Sequence, residues 1–96
     1  MIPKYREPTS AGEMLVEEFL KPLGLTQGAA AAKMGIPLNR LNEIINGKRG
    51  ITADTALRLG ELLGTTPEFW MNLQASHDLY TAMRRREKKR ELASAR

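Results

Sequence analysis

Apolar residues recur along this chain at helical rather than strand spacing. Leu15 and Phe19, with Val16 and Leu20, form an i, i+4 face. Ser10, with Glu13 three residues on, has the pattern of a capping box, so a first helix is predicted to begin at Ser10. Lys21-Pro22-Leu23-Gly24 is predicted to end it, because proline cannot continue the hydrogen-bond ladder. A second, short helix is predicted from Thr26 or Gln27 to Met34. Thr26 is a fair N-cap, and Ala29-Ala30-Ala31-Ala32 favour helix and let a neighbour cross closely. Gly35 supplies the left-handed conformation that stops it. Pro37 suits the first turn of a third helix, whose predicted buried stripe is Leu38, Leu41, Ile44 and Ile45. Asn46-Gly47 closes that helix, and Lys48-Arg49-Gly50 makes a basic turn. A fourth helix starts near Thr52 and turns Ala56, Leu59, Gly60 and Leu63 inward, with Leu62 widening the face, until Gly64 stops it. The fifth opens at Thr66-Pro67-Glu68, brings Phe69, Trp70 and Leu73 to the core, and continues through Leu79, Tyr80 and Met83.

No stretch combines alternation, β-branched enrichment and hairpin punctuation. The expected fold is therefore all-α, with five helices around one core, which is what 96 residues can support. The expected organisation is an N-terminal arm over 1–9, a helical domain over 10–80 and a basic C-terminal tail over 81–96.

Composition narrows the chemistry. There is no cysteine, which excludes disulfides, thiolate catalysis and Cys-ligated zinc. The one histidine, His77, has no histidine partner, so a multi-His metal site is excluded. Asp78 follows it directly, and adjacent helical residues do not share a face. With no paired carboxylates, His dyad or activated nucleophile, no catalytic residue, metal or cofactor is expected, and the chain is not expected to be an enzyme. Its start has no apolar signal segment and no run approaches a membrane span, so a cytoplasmic protein is expected. Net charge is +4, but residues 79–96 hold seven Lys/Arg against two Glu, while residues 1–78 hold eight Lys/Arg against nine acids. The basic excess belongs to the tail. It reads as a solvated helix end or as nonspecific help with DNA or RNA, and a case for nucleic acid must come from the body.

The third helix makes that case. At about 100° per residue, Asn39 and Glu43 point almost opposite its apolar stripe, with Arg40, Asn42 and Asn46 flanking them. A face that serves only solubility usually carries Lys, Glu and Gln. This one carries groups that match base edges: Asn with adenine, Arg with guanine, Glu with the cytosine amino group. Two short helices joined through a glycine turn, with such a face on the second, describe a helix-turn-helix, which places that second helix in the major groove. Phe69 and Trp70 sit at helical spacing with Leu73 and read as core rather than as base-stacking platforms.

Leu25-Thr26-Gln27, the small residues 29–32, Met34-Gly35-Ile36, Leu41, Ile44-Ile45-Asn46-Gly47-Lys48 and Arg49 resemble the Xre/Cro family of helix-turn-helix repressors. A longer string is more specific. Gly12-Glu13-Met14-Leu15, Phe19-Leu20-Lys21-Pro22-Leu23-Gly24-Leu25, Asn42-Glu43-Ile44, the run from Gly47 to Leu59, and Pro67-Glu68-Phe69-Trp70-Met71-Asn72-Leu73-Gln74 resemble HigA-type antitoxins, from Gly12 to about Leu79. Ser10-Ala11 replaces the family's usual His-Pro, and the basic tail after Tyr80 has no counterpart in the pattern.

The resemblance implies a five-helix Xre/Cro-like domain that binds double-stranded operator DNA in its own promoter as a homodimer. It also implies neutralisation of a HigB-type toxin, a RelE-like ribonuclease that cuts messenger RNA. Carried over by position, Gln27 contacts a phosphate, Asn39, Arg40, Asn42 and Glu43 face the bases, and Lys48 and Arg49 face the backbone. Such toxins are usually basic, so Glu7, Glu13, Glu17 and Glu18 are the acids expected to meet one. The apolar surplus of Trp70, Leu73, Leu79, Tyr80 and Met83 is expected to supply the dimer contact. The alternatives are a stand-alone repressor without a toxin, and a module that uses the fold for protein binding alone.

Overall fold

The computed structural model describes residues 7–94; residues 1–6 of the expected arm and 95–96 of the tail lie outside the described residues. Five helices follow one another, with no strand among the described residues. Helix α1 covers 11–23 in three continuous stretches, Ala11–Met14, Leu15–Leu20 and Lys21–Leu23. Ser10 caps it as predicted, its Oγ accepting the Glu13 N–H at 3.1 Å. The middle stretch is π-wound: the Lys21 N–H reaches back to the Val16 carbonyl. The helix does not end at the proline. It passes through Pro22 and stops at Gly24, whose φ is +63°. In regular α winding the Pro22 ring would clash with the carbonyl four residues earlier; the widened turn just before it changes that spacing.

Helix α2 spans Gln27–Met34, with Thr26 Oγ1 accepting the Ala29 N–H at 3.1 Å and Gly35 closing it at φ +70°. Helix α3 spans Leu38–Ile45 after only Gly35, Ile36 and Pro37, which fixes α2 and α3 as a tight pair. Helix α4 spans Ala53–Leu63, capped by Thr52, and α5 spans Pro67–Ser94. At its start, Thr66 Oγ1 accepts the Phe69 N–H at 3.2 Å. The last helix runs 28 residues, well past Met83, and helps to give the molecule its 53 × 23 × 23 Å extents.

The core joins Leu15 and Leu20 of α1, Ala30 and Met34 of α2, Leu41 and Ile44 of α3, Leu59 of α4 and Trp70 of α5. Trp70 is wholly buried between Phe19 and Phe69, with ring centroids 5.5 and 5.1 Å away, and its Nε1 donates to Thr65 Oγ1 at 2.7 Å. It therefore has no surface left for a partner, contrary to its place in the expected dimer contact. Leu38 also departs from expectation: it is 51% exposed, not part of the α3 stripe. At Gly12, α1 crosses the end of α3 so closely that a Cβ would lie 2.5 Å from the Ile45 carbonyl oxygen. Only glycine permits that approach.

Candidate nucleic-acid interface

The candidate interface comprises α3 and the turn that follows it. Leu41 and Ile44 bury one side of the helix, so Leu38, Asn39, Asn42 and Asn46 are left exposed, with Glu43 half-buried beside them. The structure thus brings Asn39, Asn42 and Glu43 onto one face, as expected, and adds Leu38, which the apolar period assigns to the core.

Gln27 opens α2 beside this face. Its Oε1 accepts from Asn42 Nδ2 at 3.1 Å, and Asn46 Nδ2 donates to Asn42 Oδ1 at 2.9 Å. Asn42 is thereby fixed in orientation. It still has one N–H and one oxygen lone pair free, and that pair of groups matches the N7 and N6 edge of adenine.

Arg40 does not join them. Its Nη2 donates to Thr55 Oγ1 at 2.7 Å and to Asp54 Oδ2 at 3.2 Å, turning the guanidinium toward the start of α4. Arg58 completes the brace: Nε donates to Asp54 Oδ2 at 2.9 Å and Nη1 to the Met34 carbonyl at 2.7 Å. The same atoms close α2, hold α3 and tie both to α4. The hydrogen bonds from Arg58, and then Arg40, hold the Asp54 carboxyl below the usual carboxylate range. The Asp54–Arg58 spacing is visible in the sequence as an i, i+4 pair. Its ties to Arg40 and Met34 are tertiary and leave no local signal.

Glu43 has two jobs. Its carbonyl accepts the Lys48 N–H at 2.8 Å and the Arg49 N–H at 3.2 Å, shaping the turn. Its carboxylate pairs with Arg49 Nη2 at 3.5 Å, which offsets a negative charge on a face that otherwise suits a polyanion. Gly47, at φ +73°, allows the chain to fold back so that Lys48 and Arg49 stand exposed beside the helix end. Gln74 of α5 anchors the far side of the turn: its Oε1 accepts the Ile51 N–H at 2.8 Å. His77, half-exposed, lines the cleft under the turn with Asp78 at 3.9 Å, and no reacting geometry surrounds them. Among the described residues no three His, Asp or Glu side chains gather as a metal site, and no helix is long and apolar enough to cross a membrane.

The sequence profile of the helix-turn-helix family matches residues 16–70. Antitoxin HigA-1 of Vibrio cholerae is 46% identical over 80 residues, which cover 83% of this chain and 75% of that protein. The structure of an addiction module antidote protein of the HigA family from Coxiella burnetii is 45% identical, matching 90% of this chain and 94% of its own with a TM-score of 0.81. Antitoxin HigA of Pseudomonas aeruginosa, solved with the higBA promoter, is 38% identical over 88% of this chain and 91% of its own, also with a TM-score of 0.81. The relatives include antitoxins and helix-turn-helix transcriptional regulators, a family that is not enzymatic. With its α2–turn–α3 pair inside the matched span and HigA proteins among its relatives in sequence and in fold, the chain belongs to the helix-turn-helix family of the Xre type, in its HigA-type branch.

Proposed function

We propose that the chain is an antitoxin that represses its own operon by sequence-specific binding of double-stranded DNA, and that it neutralises an mRNA-cleaving, RelE-like toxin of the HigB type in the cytoplasm. The observation that carries the DNA half is the exposed amide face of α3 beside an exposed basic turn, a pairing of base-reading and phosphate-holding chemistry. In this reading Asn39 and Asn42 contact base edges and Leu38 meets a thymine methyl. Glu43 shapes the turn and, where a cytosine lies opposite, accepts from its amino group. Gln27, Lys48 and Arg49 hold phosphates. Arg40, engaged with Asp54 and Thr55, positions α3 and does not reach a base unless that brace opens.

A two-turn helix reads only a few base pairs, so two copies, spaced by one duplex turn, are required for useful specificity. Leu79, 63% exposed, with Tyr80 and Met83 half-buried, is the apolar surface of α5 that remains for a homodimer. The toxin half is supported by the HigA relatives and by Glu13, Glu17 and Glu18, all exposed on α1. Residues 10–80 form the unit that does this work.

Two measurements test the proposal. The DNA upstream of the gene is expected to bind in a gel shift that fails with a scrambled duplex. Co-expression with the adjacent short gene is expected to abolish that gene's toxicity. A neighbouring product that is harmless alone, or toxic in the presence of this chain, leaves a stand-alone repressor.

A further inference from the structure

The C-terminal half of α5 carries a charge pattern that neither the core nor the helix-turn-helix uses. Gln74, His77 and Asp78 line one cleft with Lys48, Arg49 and Gly50, and Gln74 is hydrogen-bonded to the turn's far end at Ile51. The helix therefore passes the basic turn at that point and runs on to Ser94. At about 1.5 Å per residue, Arg84 to Arg90 lie roughly 9–18 Å beyond Asp78. That is about one to two Debye lengths at ordinary salt, so the turn and this run barely feel each other through solvent, and the link between them is the one helix that passes the turn and carries the run.

Arg84, Arg85, Arg86, Lys88, Lys89 and Arg90 are all exposed. Arg84 with Lys88, Arg85 with Lys89, and Arg86 with Arg90 are like-charge i, i+4 pairs, each of which destabilises a bare helix. Among the described residues the one ion pair in this stretch is Arg84–Glu87, at 3.3 Å. A helix that needs only solubility alternates its signs. This one stands under a self-repulsion that a polyanion relieves. Arg84, Arg85, Lys88 and Lys89 fall within about 140° of the helix circumference, with Glu87 and Glu91 off its edge. Arg86 and Arg90 lie about 60° and 100° beyond the other edge, so the six cations cover about 240° and leave the remaining side to Glu87 and Glu91; the four that cluster most closely form the strip.

We propose that this strip is a phosphate-tracking arm: it lies along the backbone of duplex DNA flanking the half-site held by α3, and adds affinity that is independent of sequence. The proposal rests on the reading of α3 as the groove helix. Duplex DNA is favoured over single-stranded RNA because the run belongs to the same helix that lines the cleft under the turn proposed to hold duplex phosphates. It carries no aromatic residue beyond Tyr80 on which bases could stack.

The test uses the full chain with R84Q, R85Q, K88Q and K89Q together. Glutamine keeps a helix propensity close to that of lysine and arginine, and circular dichroism checks that the helix content is retained. Binding is titrated from about 50 to about 200 mM salt on the upstream DNA and on a scrambled duplex of equal length. The slope of log affinity against log salt is expected to flatten on both duplexes, by about 0.9 for each phosphate that is no longer neutralised and about 2–4 per chain. The ratio of the two affinities is expected to stay the same. An unchanged slope on both duplexes overturns the arm, and so does a weakening confined to single-stranded RNA of the same length. If the unmodified chain fails to distinguish the two duplexes, the reading of α3 fails instead, while the slopes still decide the arm.

Discussion

Replacing Gly12 with alanine tests the closest backbone approach in the fold. The new Cβ would fall 2.5 Å from the Ile45 carbonyl oxygen and 2.7 Å from that of Ile44, where ordinary contact begins at 3.4 Å. Helices α1 and α3 must then part by roughly 0.7–0.9 Å, since both obstacles are backbone and no rotamer change relieves them. Adding a methyl to a packed site costs about 1–3 kcal/mol, and a backbone obstacle puts this case in the upper half of that range. Alanine returns at most about 1 kcal/mol in helix propensity. The clash wins, leaving a net loss of about 1–2 kcal/mol. For a chain of this size that lowers Tm by about 5–15 °C. Gly28, the second residue of α2, supplies the opposite sign: nothing lies within 4 Å of a Cβ there. Gly28→Ala is expected to stabilise by about 0.4–1 kcal/mol, chiefly by restricting the unfolded chain. Thermal unfolding followed by far-UV circular dichroism measures both. A Gly12→Ala protein as stable as the parent would refute the close crossing of α1 over α3, and with it the account of how α3 is seated.

Three further outcomes are expected. Asn39→Ala relaxes discrimination at one base position by about 1–3 kcal/mol, whereas Lys48→Ala weakens all duplexes alike and flattens the salt slope by about 0.9; competition assays with operator variants separate the two. Leu38→Ala leaves Tm nearly unchanged because the side chain is half in solvent, yet lowers operator affinity about fourfold per half-site, the worth of one buried methyl-sized group; an operator with uracil for thymine at the contacted position shows the same loss and no further loss with the variant. Asp54, whose carboxyl is held below its usual range, contributes stability that is complete above the unfolded-state value of about 3.9 and is lost as pH falls through the lower folded value. The stability difference between the parent and Asp54→Asn should therefore be flat from about pH 7 to about pH 5 and shrink below about pH 4 in denaturant titrations; a difference that grows in acid would contradict the sign.

The parts of this fold that are legible in the sequence are those whose causes are local. Ser10, Thr26, Thr52 and Thr66 each cap a helix through an N–H three residues on, and Gly24, Gly35 and Gly64 each take up positive φ at a helix end. A reader of spacing alone finds all seven. What escapes depends on distant neighbours. Leu38 lies about 60° from Leu41 around the helix, near enough to count as apolar face, but its side chain is left 51% exposed while that of Leu41 is buried. Arg40 looks free in the sequence because its partners, Asp54 and Thr55, stand fourteen and fifteen residues away. Pro22 has the local signature of a terminator, whereas the π-wound turn before it lets the helix pass. Trp70 suits both core and partner surface by its spacing, and the core claims it because Phe19 and Thr65 close around it.

These tertiary contacts bear on the proposal that so short a helix reads DNA. An isolated eight-residue helix is too short to hold its shape in water. Base readout needs donors and acceptors fixed before contact, or the entropy of ordering them is charged against affinity. In this chain α3 is held at three places that its own sequence does not reveal. Its C-terminal carbonyls lie against Gly12 of α1. Its middle is tied through Arg40 to Asp54, which Arg58 in turn ties to the end of α2. The turn that follows it is pinned through Ile51 to Gln74 of α5. Each anchor comes from a different helix, so the exposed Asn39–Asn42–Asn46 face is braced by the whole fold. It follows that loss of Gln74 or Arg58 should weaken DNA binding without either residue touching DNA, and that both losses should appear with the operator preference intact. A variant at either position that instead altered which bases are preferred would mean that the side chain reaches the groove, and the division between reading and bracing drawn for α3 would have to be redrawn.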